Sequence, residues 1–131
     1  MPMSIVPFYA ALLAVLYIFL SVRVIRMRVR DRIALGDGNN QRVQRAIRVH
    51  GNFSEYVPLA LLLLAFVELQ QFSPILVHAL CLTLIAGRVV HAYGVSQEKE
   101  DYKLRVAGMV LTFTTIALSS LRLVASFLAR P

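Results

Sequence analysis

A single cysteine, Cys81, stands in a chain of 131 residues. No disulfide can close within such a chain, and no cysteine zinc set can be assembled. Cys81 lies in an apolar stretch, where a lone cysteine reads as a small buried hydrophobe. Charge is scarce too. Only 16% of the residues are charged and 58% are hydrophobic, with mean hydropathy +0.67; soluble domains carry about 25% charged and about 45–50% apolar residues. That balance excludes an ordinary soluble domain, and the hydrophobicity excludes disorder. The length excludes several domains. No internal repeat or low-complexity segment is present. The formal net charge of +7 does not read as a nucleic-acid footprint, because the basic residues share the chain with long apolar runs. What remains is a small integral membrane protein, with membrane lipids among its partners and no nucleic acid.

A membrane helix needs about 20 mostly apolar residues to cross roughly 30 Å of hydrocarbon. Ile5 to Val22, Leu69 to Gly87 and Val106 to Leu121 contain no Asp, Glu, Lys or Arg, and only Arg122 interrupts the apolar character from there to Ala129. A fourth stretch, Val49 to Val67, holds one charge, Glu55. These stretches predict one all-α domain over residues 1–131, an antiparallel four-helix membrane bundle with helices near 4–32, 41–69, 74–94 and 102–128. Met1 to Tyr9 carries no basic residue, so the first apolar run reads as a retained span rather than a secretory leader.

The basic residues are placed unevenly. Arg23, Arg26, Arg28, Arg30, Arg32, Arg42, Arg45 and Arg48 lie between or at the ends of spans 1 and 2, and Arg88, Lys99, Lys103 and Arg105 between spans 3 and 4. Only Arg122 and Arg130 fall on the other side, so 12 of 14 basic residues share one face. The positive-inside rule then puts loops 1 and 3 in the cytoplasm and both termini outside, as expected for a bacterial inner-membrane protein. The same charge attracts anionic lipid.

Local signals mark the helix ends. Gly36-Asp37-Gly38-Asn39-Asn40 is a turn cluster, and Asn40 suits the N-cap of helix 2. Ser73-Pro74 reads as an N-cap followed by proline at the first helical position. Glu68 to Phe72 is expected to be a short connection, and Gly94 to Asp101 a loop. Pro58 should bend helix 2 just beyond Tyr56. Ala79, Thr83 and Gly87 place small residues on one face of helix 3, where another backbone can approach. Thr112, Thr114, Thr115, Ser119 and Ser120 give helix 4 hydroxyls for its neighbours or its own backbone. His50 and His78 match no metal-ligand spacing and read as structural.

Helix 2 carries the most informative pattern. At roughly 100° per residue, Arg45, Arg48, Asn52, Glu55 and Tyr56 fall on one side, with Arg42 at the edge of the stripe. A carboxylate inside a span costs about 2.5–3.5 kcal/mol at its centre. Glu55 must therefore face protein or water and have a partner. Arg48 is two turns away, beyond the usual range of pairing along a helix. Another helix, waters or a ligand could bridge the two. Guanidiniums, an amide, a carboxylate and a phenol together complement a small zwitterion bearing several carboxylates.

Arg48-Val49-His50-Gly51-Asn52-Phe53-Ser54-Glu55-Tyr56-Val57-Pro58 resembles the signature of the MAPEG family, the membrane-associated proteins in eicosanoid and glutathione metabolism. The preceding Gln41-Arg42-Val43-Gln44-Arg45-Ala46 is similar too, as are the length, the four spans and Ala86-Gly87-Arg88-Val89-Val90-His91-Ala92-Tyr93-Gly94. The likeness covers essentially the whole chain and is to the short bacterial branch. It implies a homotrimer that holds glutathione, as co-substrate and without a metal, between neighbouring subunits near the cytoplasmic face. By position, Arg48 would bind a glutathione carboxylate, Asn52 and Glu55 the γ-glutamyl end, and Tyr56 would add a hydrogen bond. Arg45, Arg88, His91 and Tyr93 join that binding set. Thiol activation needs a nearby cation. Arg105, near the start of helix 4, is the first choice for this catalytic role, and Arg26 and Arg28 are the second.

This chain departs from the family in two places. It has His91 and Val95 where several catalytic members have tyrosines. The leading expectation is a glutathione transferase or peroxidase that attacks a lipophilic electrophile or lipid hydroperoxide with the thiolate. The alternatives are a non-catalytic lipid-binding or scaffold protein of the same fold and, more remotely, a small four-helix drug exporter. Exporters of that kind rely on an acidic residue in the first span, and span 1 here has none.

Overall fold

The computed structural model describes residues 3–97, 99 and 101–129. Arg130, and Glu98 and Glu100 of the expected second loop, lie outside the described residues. Four helices follow one another: α1 (Ile5–Arg30), α2 (Gln41–Leu69), α3 (Pro74–Ser96) and α4 (Tyr102–Leu128). Each is long and apolar enough to cross a membrane. The protein is a four-helix membrane bundle.

Most helix ends follow from local chemistry. Asn40 caps α2, its side chain accepting from the N–H groups of Arg42 and Val43. Gly36 and Gly38 take positive φ values of 71° and 59° in the turn before it, a backbone region open to glycine without steric cost. Asp31 braces this turn, accepting from Arg30 Nε and from Asn40 Nδ2, each at 2.8 Å. Asp101 caps α4 by accepting from Lys103 N and Leu104 N. Pro74 sits in the first turn of α3, but Ser73 makes no side-chain cap bond. Gly94 is not a loop residue: α3 runs on to Ser96. α2 continues unbroken through Pro58.

Nor does Ser4 cap α1 with its side chain. Glu68, from the last turn of α2, does that work instead. Its carboxylate accepts from Ser4 N, Ile5 N and Val6 N, each at 2.7 Å. A negative group at a helix N-terminus meets both the orphan N–H groups and the positive end of the dipole. Near the same end, Tyr9 Oη lies 3.0 Å from His78 Nδ1 and joins α1 to α3. The Arg122 guanidinium sits 4.1 Å from the centre of the Phe72 ring and holds α4 to the α2–α3 connection.

α2 and α3 form the middle of the bundle, and α1 and α4 flank it without touching each other among the described residues. Leu13, Leu20, Val49, Phe53, Ala60, Leu64, Val77 and Leu84 fill the interior. Phe8, Ile18, Phe19, Ile75 and Phe127 point outward, as expected for helices solvated by lipid. In lipid, apolar burial drives little association, and close packing and hydrogen bonds carry it. The closest crossing joins α3 to α4. A Cβ added at Gly108 would lie 2.6 Å from His91 N and 2.7 Å from the Gly87 carbonyl oxygen. Of the small stripe on α3, only Gly87 is at this crossing, since Ala79 is exposed and Thr83 turns its hydroxyl to the Ala79 carbonyl. The α4 partner, Gly108, carries no mark in the sequence until the two helices are set together.

Candidate functional site

The polar stripe of α2 opens into a cavity of about 440 Å³ at the arginine-rich end of the bundle. α2 contributes Gln41, Gln44, Arg45, Arg48, Asn52 and Tyr56; α3 contributes His91 and Val95; α4 contributes Arg105 and Met109. The Gly87–Gly108 crossing brings α4 near enough for Arg105 and Met109 to form the wall opposite the stripe. The volume is in the range of small-molecule sites, about 300–1,000 Å³. Six of the residues expected at the site thus share one cavity: Arg45, Arg48, Asn52, Tyr56, His91 and Arg105.

Arg88 stands behind this cavity, not in it. Its side chain is among the most deeply buried in the protein, at 1% exposure. Nη2 donates to Asn52 Oδ1 at 2.6 Å and Nη1 to Thr112 Oγ1 at 3.1 Å, with Met109 Sδ 3.9 Å from Nη1. No carboxylate is among these partners, and Nε has none among the described residues. The Asn52 amide is oriented as a consequence. Its oxygen faces a guanidinium, which can only donate. Its NH₂ group is therefore the end left for the cavity that Asn52 lines. Thr112 is held in turn by donating to the Gly108 carbonyl at 2.9 Å.

Arg48 and Glu55 pair directly, against the expectation from their spacing. Arg48 Nη1 lies 3.7 Å from Glu55 Oε1, with the two side chains 59% and 52% exposed. Side chains on a helix tilt toward its N-terminus, so Glu55 leans back toward Arg48. The long arginine spans the remainder. Among the described residues no arginine of α1 or α3 takes that role. Glu55 is not a wall of the cavity but lies beside it, one residue before Tyr56. The Tyr56 ring packs edge-on against Phe113 of α4, at 5.4 Å between centroids.

The other candidates lie elsewhere. Tyr93 is 61% exposed and outside the cavity. Arg26 is exposed on α1, and Arg28 lines a separate surface cleft with Arg32 and Ile33. Neither arginine is among the described residues that line the cavity with Arg105. His50 and His78 are engaged by neighbours: His50 Nε2 is 3.0 Å from Ser21 Oγ, and His78 bonds Tyr9. Ser21 Oγ donates to the Tyr17 carbonyl, so its hydroxyl accepts from His50.

A model of the MAPEG family matches residues 6–125 of this chain. The chain belongs to the MAPEG family. It is 38% identical over 110 residues to the inner membrane protein YecN of Escherichia coli, an alignment covering 84% of this chain and 82% of that protein. A YecN protein from a second Escherichia coli strain matches to the same extent.

Within this MAPEG chain, the helical spacing of the polar stripe extends further toward the start of α2. Gln41 and Gln44 continue the helical spacing of Arg45, Arg48 and Asn52 and line the same cavity. Met109 follows Arg105 by one turn and could have been found the same way. Thr112 continues the same spacing and stands among the helix 4 hydroxyls noted in the sequence, but its partner Arg88 is met only when α3 and α4 dock.

Proposed function

We propose that this MAPEG protein binds glutathione at the arginine-rich end of the bundle and uses its thiolate against lipophilic electrophiles or lipid hydroperoxides. One observation carries the reading. Arg45, Arg48 and Arg105 surround a cavity into which Asn52, fixed by Arg88, can offer only amide donors. Such a site favours a ligand that accepts hydrogen bonds and carries net negative charge. Glutathione, with two carboxylates, one ammonium and a thiol, has that character.

In this reading Arg45 and Arg48 take the carboxylates, Asn52 donates to the γ-glutamyl end, and Tyr56 adds a hydrogen bond. Glu55, beside the cavity, takes the ammonium once its bond to Arg48 loosens. Arg105 stabilises the thiolate, because a cation near sulfur favours the charged form. The thiolate then forms a carbon–sulfur bond while the electrophile gives up its leaving group. With a hydroperoxide, the thiolate instead takes one oxygen of the O–O bond and the alcohol departs. Arg88 acts through Asn52 and the field of its buried charge. His91 contributes a polar wall, and Tyr93 lies outside this set.

The exposed Glu55 bears on assembly. A carboxylate on an apolar span needs cover, and a homotrimer in which a second copy lies against this face supplies it. Arg26 and Arg28 would reach the site only from such a neighbour. The arginine-rich end is read as cytoplasmic, in the inner membrane where the relative's name places YecN.

Detergent-purified protein tests the reading. Glutathione should bind, and a thiolate band should rise in the ultraviolet. Absence of binding at millimolar glutathione would overturn it. A second reading, non-catalytic lipid binding on the same fold, rests on His91 and Val95, which stand where the family resemblance implies tyrosines in several catalytic members. It predicts stabilisation by lipid and no turnover with any electrophile.

A further inference from the structure

A second basic cleft lies on the other side of α2, and an apolar groove lies between α1 and α3, two of the helices that line it. The cleft, about 430 Å³, gathers Arg23 from α1 with Arg42 and Arg45 from α2. Ser96 and Gln97, at the end of α3, close it. Arg23 Nη1 donates to Ser96 Oγ, and Arg45 Nη1 to the Gln97 carbonyl at 3.0 Å. Both acceptors are neutral, so these bonds position the guanidiniums without cancelling their charge. No acidic residue is among the described residues lining the cleft.

Directly along the same seam, Leu16 and Phe19 of α1 face Ile85 and Val89 of α3 across a groove of about 390 Å³. Phe19 is one turn before Arg23, and Val89 about two turns before Ser96. α1 and α3 run in the same direction, so both steps lead from the groove to the cleft. At 1.5 Å per residue, Phe19 and Arg23 are separated by roughly 6 Å along the axis. Phe19 is 62% exposed, which leaves the groove open toward lipid.

We propose that this seam is a binding site for one anionic phospholipid. Its phosphate is held by Arg23 and Arg45, and one acyl chain lies between Leu16, Phe19 and Val89. A basic pocket between membrane helices is a known type of headgroup site. Here the apolar groove below the arginines selects a lipid over a free phosphate, because a soluble anion gains nothing from it. The site is separate from the glutathione cavity except at Gln41 and Arg45, which line both. It does not depend on the glutathione reading.

The test uses full-length protein, stripped of lipid in detergent and then titrated with phosphatidylglycerol or phosphatidylcholine. Retained lipid is counted by native mass spectrometry. Phosphatidylglycerol should be held at one per chain and preferred by roughly thirtyfold, about what two guanidiniums near a headgroup contribute. Arg23→Gln with Arg45→Gln should erase that preference. Val89→Trp, on an exposed position, should fill the groove and lower retention without touching the arginines, which keeps the proposal testable if the double variant fails to fold. Equal retention of the two lipids, or an undiminished preference in both variants, overturns it. So does displacement of the lipid by glycerol phosphate, which would mark a free-anion site, or its exclusion on oligomer formation, which would mark the groove as a contact between copies.

Discussion

Arg88 Nη2 donates to Asn52 Oδ1 at 2.6 Å, joining α3 to α2 through a guanidinium that is 1% exposed and has no carboxylate among its partners. The bond ties the fold to the cavity. It satisfies part of a buried charge, and it decides which end of the Asn52 amide a ligand meets.

Asn52→Asp separates these two roles. The new carboxylate gives Arg88 an ionic partner, so the thermal midpoint should hold or rise. The cavity loses its amide donors and gains negative charge, so glutathione affinity should fall at least roughly tenfold. Asn52→Leu removes the acceptor altogether and should cost about 3 kcal/mol in unfolding experiments. Circular dichroism melts beside calorimetric titration check both.

The Arg48–Glu55 pair is more than half exposed on both sides. It should contribute no more than about 1 kcal/mol to the single subunit. Arg48→Ala and Glu55→Ala are therefore expected to abolish glutathione binding while the protein still elutes in size-exclusion chromatography as the wild type does. Normal binding by both variants would place the ligand elsewhere.

Arg105→Ala should act on the thiol more than on affinity. The thiolate absorbance of bound glutathione should fall at neutral pH and return as pH is raised, because the lost cation lets the thiol pKa climb back toward its usual range. Glutathione affinity should change less than in Arg48→Ala. Equal loss of affinity in the two variants would make Arg105 an ordinary binding residue.

Two glycines should behave oppositely. A Cβ at Gly108 meets the His91 backbone at 2.6 Å, so Gly108→Ala forces α3 and α4 apart and should cost about 1–3 kcal/mol. A Cβ at Gly51 meets nothing within 4 Å, and Gly51→Ala within α2 should stabilise by up to about 1 kcal/mol. Thermal unfolding of the two variants in the same detergent gives the comparison.

Glu68 anchors the start of α1 through three N–H groups. Glu68→Ala should cost about 1–2 kcal/mol, as loss of a helix cap does. The amides of Ser4, Ile5 and Val6 should exchange faster with deuterium, with little change at the arginine-rich end.

Much of this was legible in the chain because it depends on period and composition. Four apolar runs require four helices, since a spanning backbone must satisfy its own hydrogen bonds. The three-and-four spacing from Arg45 to Tyr56 puts a polar stripe on one helix face whatever the helix packs against. The Arg48–Glu55 contact escaped, because a rule for pairs one turn apart leaves out the reach of an arginine across two turns and the tilt of Glu55 toward it. The Glu68 cap escaped because its partners lie 62 to 64 residues away in the chain.

Sequence alone determined that this is a four-helix membrane protein with one strongly basic end and a charged stripe on its second helix, because hydrophobicity and helical period act within each segment. Tertiary structure alone decided which charges form walls and which form supports. Arg88, expected at the ligand, is turned into the interior behind Asn52, and Arg105 is carried to the opposite wall. Both outcomes rest on the close Gly87–Gly108 crossing of α3 and α4. Such a contact exists only when two backbones from distant parts of the chain have docked, so no pattern within either helix announces it.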